Sequence, residues 1–372
     1  MKILVLGATG FIGGTVLAAV VEANEQELAG ATVTALVRRQ SSETDAARET
    51  KLRSRFGFES TSKTAGKAVK KSFNIEFFAG LEAIDELEEI VRSYDIVINT
   101  ADACDDLPAI QAILRGLGAR AISNRFDGSV TVPVLIHCSG TGVIMDSALG
   151  EPDVDGKTIY ADDDIAKITA IPPTNIHRDV DLIVAGAESS FRIKTVTFVP
   201  PLVYGLGRGL FKRHSGQIPG LIRNCLANGQ AEFIGKGLSK WSNVHVVDLA
   251  QAFLHILCRV ICDPDSVDNG YYFAESGELS WKEMAQGVAD AAAKNAPVNL
   301  KSKIAVSLQL ETDAKIRFPN ELARHFYSSN SRSRAVKIRK LGWTPSVGNE
   351  IPLSEDLERE IQYQIDLIGS SN

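Results

Sequence analysis

Short continuous apolar runs alternate with stretches of helical periodicity through the first two hundred residues. Lys2–Leu6, Thr32–Val37, Ile75–Phe78, Asp95–Thr100, Val134–Cys138 and Lys194–Val199 read as strands. Between them, Ile12, Val16, Leu17, Val20 and Val21 recur at helical spacing, as do Leu81, Ile84, Leu87, Ile90 and Val91. Apolar strands separated by amphipathic helices predict a parallel sheet covered on both faces. Right-handed crossovers make that sheet doubly wound. The expected class is therefore α/β.

After Gly205 the alternation weakens. A Gly-rich loop is followed by a helix near Pro219–Asn228, a strand–helix unit over Asn243–Cys262 and a strand at Tyr271–Phe273. Another helix begins at Ser280, an N-cap with Glu283 three residues on. This part reads as a smaller C-terminal α/β substrate lobe over the carboxyl edge of the sheet. The expected division is 1–204 and 205–372, with some chain exchange between the two. Residues 40–71 form a Ser/Thr/Lys-rich connection, and from Arg38 to Lys71 ten Lys/Arg face four Asp/Glu. It reads as a solvated helix plus a mobile loop, with a basic groove for an anionic ligand as the alternative.

Composition narrows the class. At 372 residues, 44% hydrophobic and 23% charged, the chain has ordinary globular make-up. A formal charge of −6 argues against nucleic-acid binding through net positive charge. No apolar run approaches the ~20 residues that cross a bilayer. The first, Ile3–Leu6, stops at Gly7 and does not read as a signal peptide. Five cysteines lack metal-type spacing, and Cys258 and Cys262 read as two small buried residues on one helix face. A cytoplasmic protein is expected.

The segment MKILVLGATGFIGG places Gly7, Gly10 and Gly13 after a strand and at the opening of a helix. Only bare backbone lets a pyrophosphate approach the positive end of that helix, so a dinucleotide-binding Rossmann turn is expected. The second strand ends in Leu36-Val37-Arg38-Arg39, where NAD-specific sites carry a carboxylate. A guanidinium binds a 2′-phosphate that a carboxylate would repel. NADP(H) is the expected cofactor, with Arg38 the main contact and Arg39 the second.

GATGFIGG and the following ALVRR resemble the short-chain dehydrogenase/reductase superfamily, in its extended and atypical branches, which include the NAD-dependent epimerase/dehydratases. The resemblance continues through INTAD (Ile98–Asp102), LIHCSGTGV (Leu135–Val143), FVPPLVYGLGRG (Phe198–Gly209), WSNVHVVDLAQAF (Trp241–Phe253) and NSRSRAVKIRKLGWTP (Asn330–Pro345). It implies that Gly7, Thr9, Gly10, Phe11, Ile12 and Gly13 cradle the pyrophosphate. Thr100, Ala101 and Asp102 would lie beside a ribose, and Pro200, Pro201 and Val203 would flank the nicotinamide. Ser139 or Thr141 would match the family's catalytic hydroxyl.

The catalytic YxxxK pair is where the chain departs from the family. Asp181 fits the acidic place that follows the family's Lys, which puts His177 at the Lys position and Pro173 at the Tyr position. Proline has no hydroxyl. Three substitutes remain open: His177 as ribose ligand or proton donor, Tyr160 from its acidic loop, and Tyr204 from the PPLVYG loop. Asp162, Asp163 and Asp164 read as a solvated loop, and no metal is expected. Arg208, Lys212, Arg213 and His214 would border the substrate mouth; Trp241 would line the pocket, and Trp343 would anchor the C-terminal lobe.

The expected activity is an NADP(H)-dependent oxidoreductase acting on a small carbonyl or alcohol. The alternatives are a non-catalytic NADP(H)-responsive regulator of the NmrA-like kind, and an epimerase or isomerase with a tightly held cofactor. The expected partner is a small-molecule substrate, with no nucleic acid and no membrane, and a homodimer is the one assembly allowed for.

Overall fold

The structure, a computed structural model, describes residues 1–57, 69–127, 131–295, 306–308, 313–318 and 320–370. Its main sheet joins β1 (Lys2–Leu6), β2 (Thr32–Arg38), β3 (Ser72–Phe78), β4 (Ile96–Asn99), β5 (Val134–Cys138), β7 (Lys194–Val199) and β11 (Gly270–Phe273). Their order is β3-β2-β1-β4-β5-β7-β11, all parallel. The reversal of direction after β1 makes the sheet doubly wound and opens a crevice at the carboxyl ends of β1 and β4. Three smaller pairings stand beside it. β6 (Ile159–Ala161) pairs with β14 (Arg332–Arg334), and β9 (Glu232–Ile234) with β13 (Val306–Leu308). β8 (Leu202–Tyr204), β10 (Lys240–His245) and β12 (Gly277–Ser280) form a three-stranded sheet.

Strand periodicity sends alternate side chains to opposite faces. Ile3 and Val5 of β1 join α1 (Phe11–Glu22) and α8 (Val246–Cys262) in one apolar layer. Leu4 and Leu6 join α3 (Ile84–Val91), α4 (Leu107–Phe126) and α6 (Arg178–Phe191) in the other. Each fully buried Leu or Ile contributes about 1.5–3 kcal/mol of transfer free energy, so the uninterrupted apolar strands are what hold both helix layers. Although it comes after the first elements of the second lobe, β11 is the edge strand of the main sheet against β7. The helix before it, α8, packs on α1. The second lobe keeps its own apolar centre, built from α7 (Gln217–Asn228), α9 (Trp281–Asn295) and the C-terminal helix Leu353–Ser370.

The 40–71 connection contains α2 (Ser42–Phe56), capped by Ser41 Oγ accepting from Thr44 N at 3.2 Å. Only Leu52 and Phe56 are buried on it. Its arginines are largely engaged: Arg53 with Glu49, Arg55 with Glu22, and Arg48 with the Arg38 carbonyl. The segment read as a mobile loop, residues 58–68, lies outside the described residues. The capping box forms, Ser280 N donating to Glu283 and Glu283 N to Ser280 Oγ.

Two readings are corrected. Asp162 is not on a solvated loop: it is 1% exposed, and its carboxylate accepts from the backbone N–H groups of Phe273, Val336 and Lys337. It ties β11 to the chain after β14, and only Asp163 and Asp164 of the triplet are exposed. Cys262 is exposed rather than buried, and Cys258 is half-buried. Among the described residues no helix is long and apolar enough to cross a membrane.

Candidate active site

The turn between β1 and α1 is shaped by Gly7, held at φ +76°. A Cβ there would stand 2.6 Å from the carbonyl carbon and oxygen of Thr100, at the end of β4. A Cβ at Gly13 would stand 2.2 Å from the Gly7 carbonyl oxygen. The turn therefore closes only with glycine, and it brings Gly7 against Thr100 and Ala101. Helix α1 then opens from an extended Gly10 with no side-chain cap and no acidic residue in its first turn. Its positive end is left for an anion, and these residues fit a dinucleotide pyrophosphate. Thr9 and Phe11 sit within this turn, and Asp102 is exposed at its rim. The Gly-rich loop of the second lobe docks on the same helix, Arg208 N donating to Thr15 Oγ1 at 3.1 Å.

At the end of β2, Arg38 is exposed. Arg39 points elsewhere, paired with Glu86 at 3.1 Å. Arg48 of α2 reaches the Arg38 carbonyl at 3.1 Å.

A cleft of ~260 Å³ lies at the carboxyl edge of the sheet, between the lobes. Ile12, Thr141, His177, Pro200, Val203 and Trp241 contribute to its wall. A larger concavity of ~890 Å³ around Asp95, Arg120 and Lys194 opens at the amino-terminal edge, away from the crevice where ligands of such sheets bind.

Ser139 and Thr141 are now separable. Ser139 does not face the cleft: its hydroxyl donates to the buried Asp181 carboxylate at 3.1 Å, behind the loop. Thr141 opens a short 3-10 turn, anchored by its N–H on the Pro200 carbonyl at 3.0 Å. Its residue is 1% exposed, and its Oγ1 has no hydrogen-bond partner. A buried hydroxyl without a partner costs about 1–3 kcal/mol, a cost commonly met where a ligand completes the bond.

His177 stands at the N-cap of α6 in the left-handed region, φ 68°. Its Nδ1 is 2.6 Å from Asp105 Oδ1, and its imidazole lies over the Gly140–Gly142 backbone. A Cβ at Gly142 would come within 3.2 Å of Nε2. Asp105 fixes the ring so that Nε2 faces the Thr141 loop, the logic of a carboxylate-oriented imidazole. Asp105 escaped the sequence reading because its partner is 72 residues away. Cys104 is beside this pair, and its sulfur and the two partners' ligand atoms lie within 4.8 Å of one another. Burial pushes the Cys104 thiol well above its usual range, so it stays protonated.

Neither tyrosine faces the cleft. Tyr160 is part of β6, half-buried with the Lys167 ammonium 4.6 Å from its ring centre. Burial raises its pKa, which further disfavours it as an acid–base group near neutrality. Tyr204 is 1% exposed and its hydroxyl donates to the Ile351 carbonyl at 3.1 Å, fastening β8 to the C-terminal segment. His214 is likewise absorbed, its Nδ1 2.7 Å from Glu360 and its ring stacked on Tyr363. Trp343 donates its indole N–H to the Asp248 carbonyl. Beneath the loop, Asp181 accepts from both Ser139 and Tyr271, and burial pushes its carboxyl up to about 6.

Residues 177–264, from His177 through α8, match the model of the NAD dependent epimerase/dehydratase family. The family resemblance read from the motifs is borne out. The chain is 28% identical over 394 residues to the oxidase ucsJ of Acremonium sp, covering 100% of this chain and 99% of the relative. It is 26% identical to an uncharacterized protein of Schizosaccharomyces pombe, covering 93% and 95%. Among solved structures it is similar to a dTDP-glucose 4,6-dehydratase of Streptomyces venezuelae, at 14% identity and TM-score 0.59, covering 100% of this chain and 98% of that one. A UDP-glucuronic acid 4-epimerase of Bacillus cereus gives 15% identity, TM-score 0.59 and coverage of 99% and 100%. At such identities the epimerase and dehydratase structures establish the shared Rossmann-type fold.

Proposed function

We propose that this chain is an NADP(H)-dependent oxidoreductase acting on a small carbonyl or alcohol, with Thr141 and His177 in place of the usual Tyr–Lys pair. The observation that carries the proposal is the juxtaposition of the partnerless Thr141 hydroxyl and the Asp105-held His177 imidazole on one cleft wall. When bound, the dinucleotide supplies or accepts a hydride. Thr141 donates a hydrogen bond to the substrate oxygen. His177 holds the proton that this oxygen gains or loses, at Nε2, while Asp105 keeps Nδ1 protonated and the ring oriented.

The preference for the phosphorylated cofactor is supported by the exposed Arg38 at the end of β2, where no carboxylate stands. Arg48 adds a second guanidinium next to it. A titration of the purified protein with NADPH, NADP+, NADH and NAD+ tests the cofactor assignment. Tight NADPH and weak NADH binding is expected, and no dinucleotide binding at all would remove the enzyme reading. The match to the epimerase/dehydratase family favours a second reading, an isomerisation with a retained cofactor and no net redox change. Nucleotide that co-purifies with the protein, together with absence of net NADPH consumption, would select it.

A further inference from the structure

We propose that the cleft takes an uncharged, planar ring compound carrying two oxygens, a hydroxy-ketone or dicarbonyl, and excludes nucleotide sugars. The inference rests on the oxidoreductase reading above and adds the substrate class to it.

The walls of the cleft set the shape. Trp241 of β10 and Phe326, from the helix Glu321–Phe326, meet with ring centres 5.7 Å apart and planes at 59°. Trp241 is immobilised, its indole N–H donating to Ser329 Oγ at 3.1 Å, and it is 5% exposed. Pro201 contributes to the same rigid, apolar lining. Such surfaces favour a flat ligand face over a flexible polar one.

Two polar groups set the chemistry. Thr141 Oγ1 is buried without a partner, and so is Nε2 of Gln217, at the first position of α7. The Gln217 backbone is fixed separately, its carbonyl accepting from Tyr327 at 3.1 Å. Two unfilled hydrogen-bonding groups in one small cleft call for two oxygens on the ligand.

Charge decides against the alternative. Among the described lining residues there is no Lys, Arg, Asp or Glu, and His177 is the single titratable side chain. A diphosphate seated there would lose its hydration without meeting a cation, at a cost of several kcal/mol. The volume of ~260 Å³ is also below the ~300–1,000 Å³ of drug-sized sites. The described lining thus offers a diphosphate no cationic partner.

The test uses the full chain and two probes, 2-acetyl-1-naphthol and UDP-glucose, in calorimetric titrations with and without saturating NADP+. The naphthyl ketone is expected to bind and UDP-glucose not to bind. Phe326→Ala and Gln217→Ala are each expected to weaken ketone binding about tenfold while leaving NADPH binding unchanged. Phe326→Leu, which keeps the bulk, reports whether the ring itself matters and should fall between. Binding of UDP-glucose as tight as that of the ketone, absence of ketone binding, or ketone affinity unchanged in both alanine variants would overturn the proposal. A protein that binds the ketone but no dinucleotide would refute the oxidoreductase reading while supporting this one, so the two failures are distinguishable.

Discussion

Three glycines allow the cofactor turn to be tested without knowing the substrate. Gly7 has φ +76° and backbone atoms of Thr100 2.6 Å from where its Cβ would be. Gly30 has nearly the same backbone, φ +73°, but open space around the added carbon. Gly186 has neither a positive φ nor any neighbour within reach, and it is exposed within α6. Alanine at Gly30 therefore meets only the left-handed penalty, ~1–2 kcal/mol. Alanine at Gly7 adds a collision with main-chain atoms that cannot rotate away, a further ~1–3 kcal/mol, for a total of about 2–5 kcal/mol. Alanine at Gly186 should stabilise by ~0.5–1 kcal/mol. Thermal melting of the three variants should rank Gly186→Ala above wild type, Gly30→Ala below it and Gly7→Ala lowest. Fluorescence titration should show NADPH affinity reduced more than tenfold in Gly7→Ala alone. If Gly7→Ala melts with Gly30→Ala and binds NADPH within threefold of wild type, the contact between the turn and the end of β4 does not shape the site.

The same reasoning gives further expectations. Thr141→Val removes a hydroxyl without a partner, so chemical denaturation should show stability unchanged or raised by ~1 kcal/mol while carbonyl turnover is lost; retained turnover would refute the role of Thr141. Ser139→Ala should do the opposite, lowering stability by ~1 kcal/mol through loss of the bond to Asp181 and leaving substrate affinity intact. The folded pKa of Asp181, about 6, is above its unfolded value near 3.9, so its contribution to stability is fully present below about pH 4 and is lost as pH rises through 6. That amounts to about 3 kcal/mol, and the stability gap between wild type and Asp181→Asn should change by up to this much between pH 4 and 7. A constant gap would mean that Asp181 does not titrate there. Arg38→Ser should weaken NADPH binding roughly 10–100-fold and leave NADH within threefold, as measured by equilibrium dialysis.

Much of this was legible because parallel strands buried on both faces leave apolar runs, and β1, β4 and β5 are such runs, whereas the edge strand β3 is only partly buried. The strand Tyr271–Phe273 was equally visible, but its partner was not: nothing local tells a four-residue strand to join β7 rather than its nearer neighbours. The glycine turn was readable because the requirement is steric and short-ranged. The reaction centre was only half readable. CSGTG offers two hydroxyls, and the choice between them depends on Asp181, 42 residues on, taking one of them. Asp105 sits in a run of acids that looks like ordinary surface, and only the fold carries it to His177. Asp162 misleads for the same reason, its three backbone donors coming from segments more than a hundred residues away.

The position of β11 bears on how the molecule is made. A nascent chain that has just cleared β7 has an open sheet edge and lacks α8, the helix that covers α1. An unpaired parallel edge is a template for wrong pairing, so this stretch of synthesis is the exposed one. Sealing waits until residues 270–273 emerge, by which time the first part of the substrate lobe, β8 through β10, has already been translated. The two lobes therefore mature together, and nicking or stalling between β7 and β11 should release fragments that aggregate instead of a usable nucleotide-binding half.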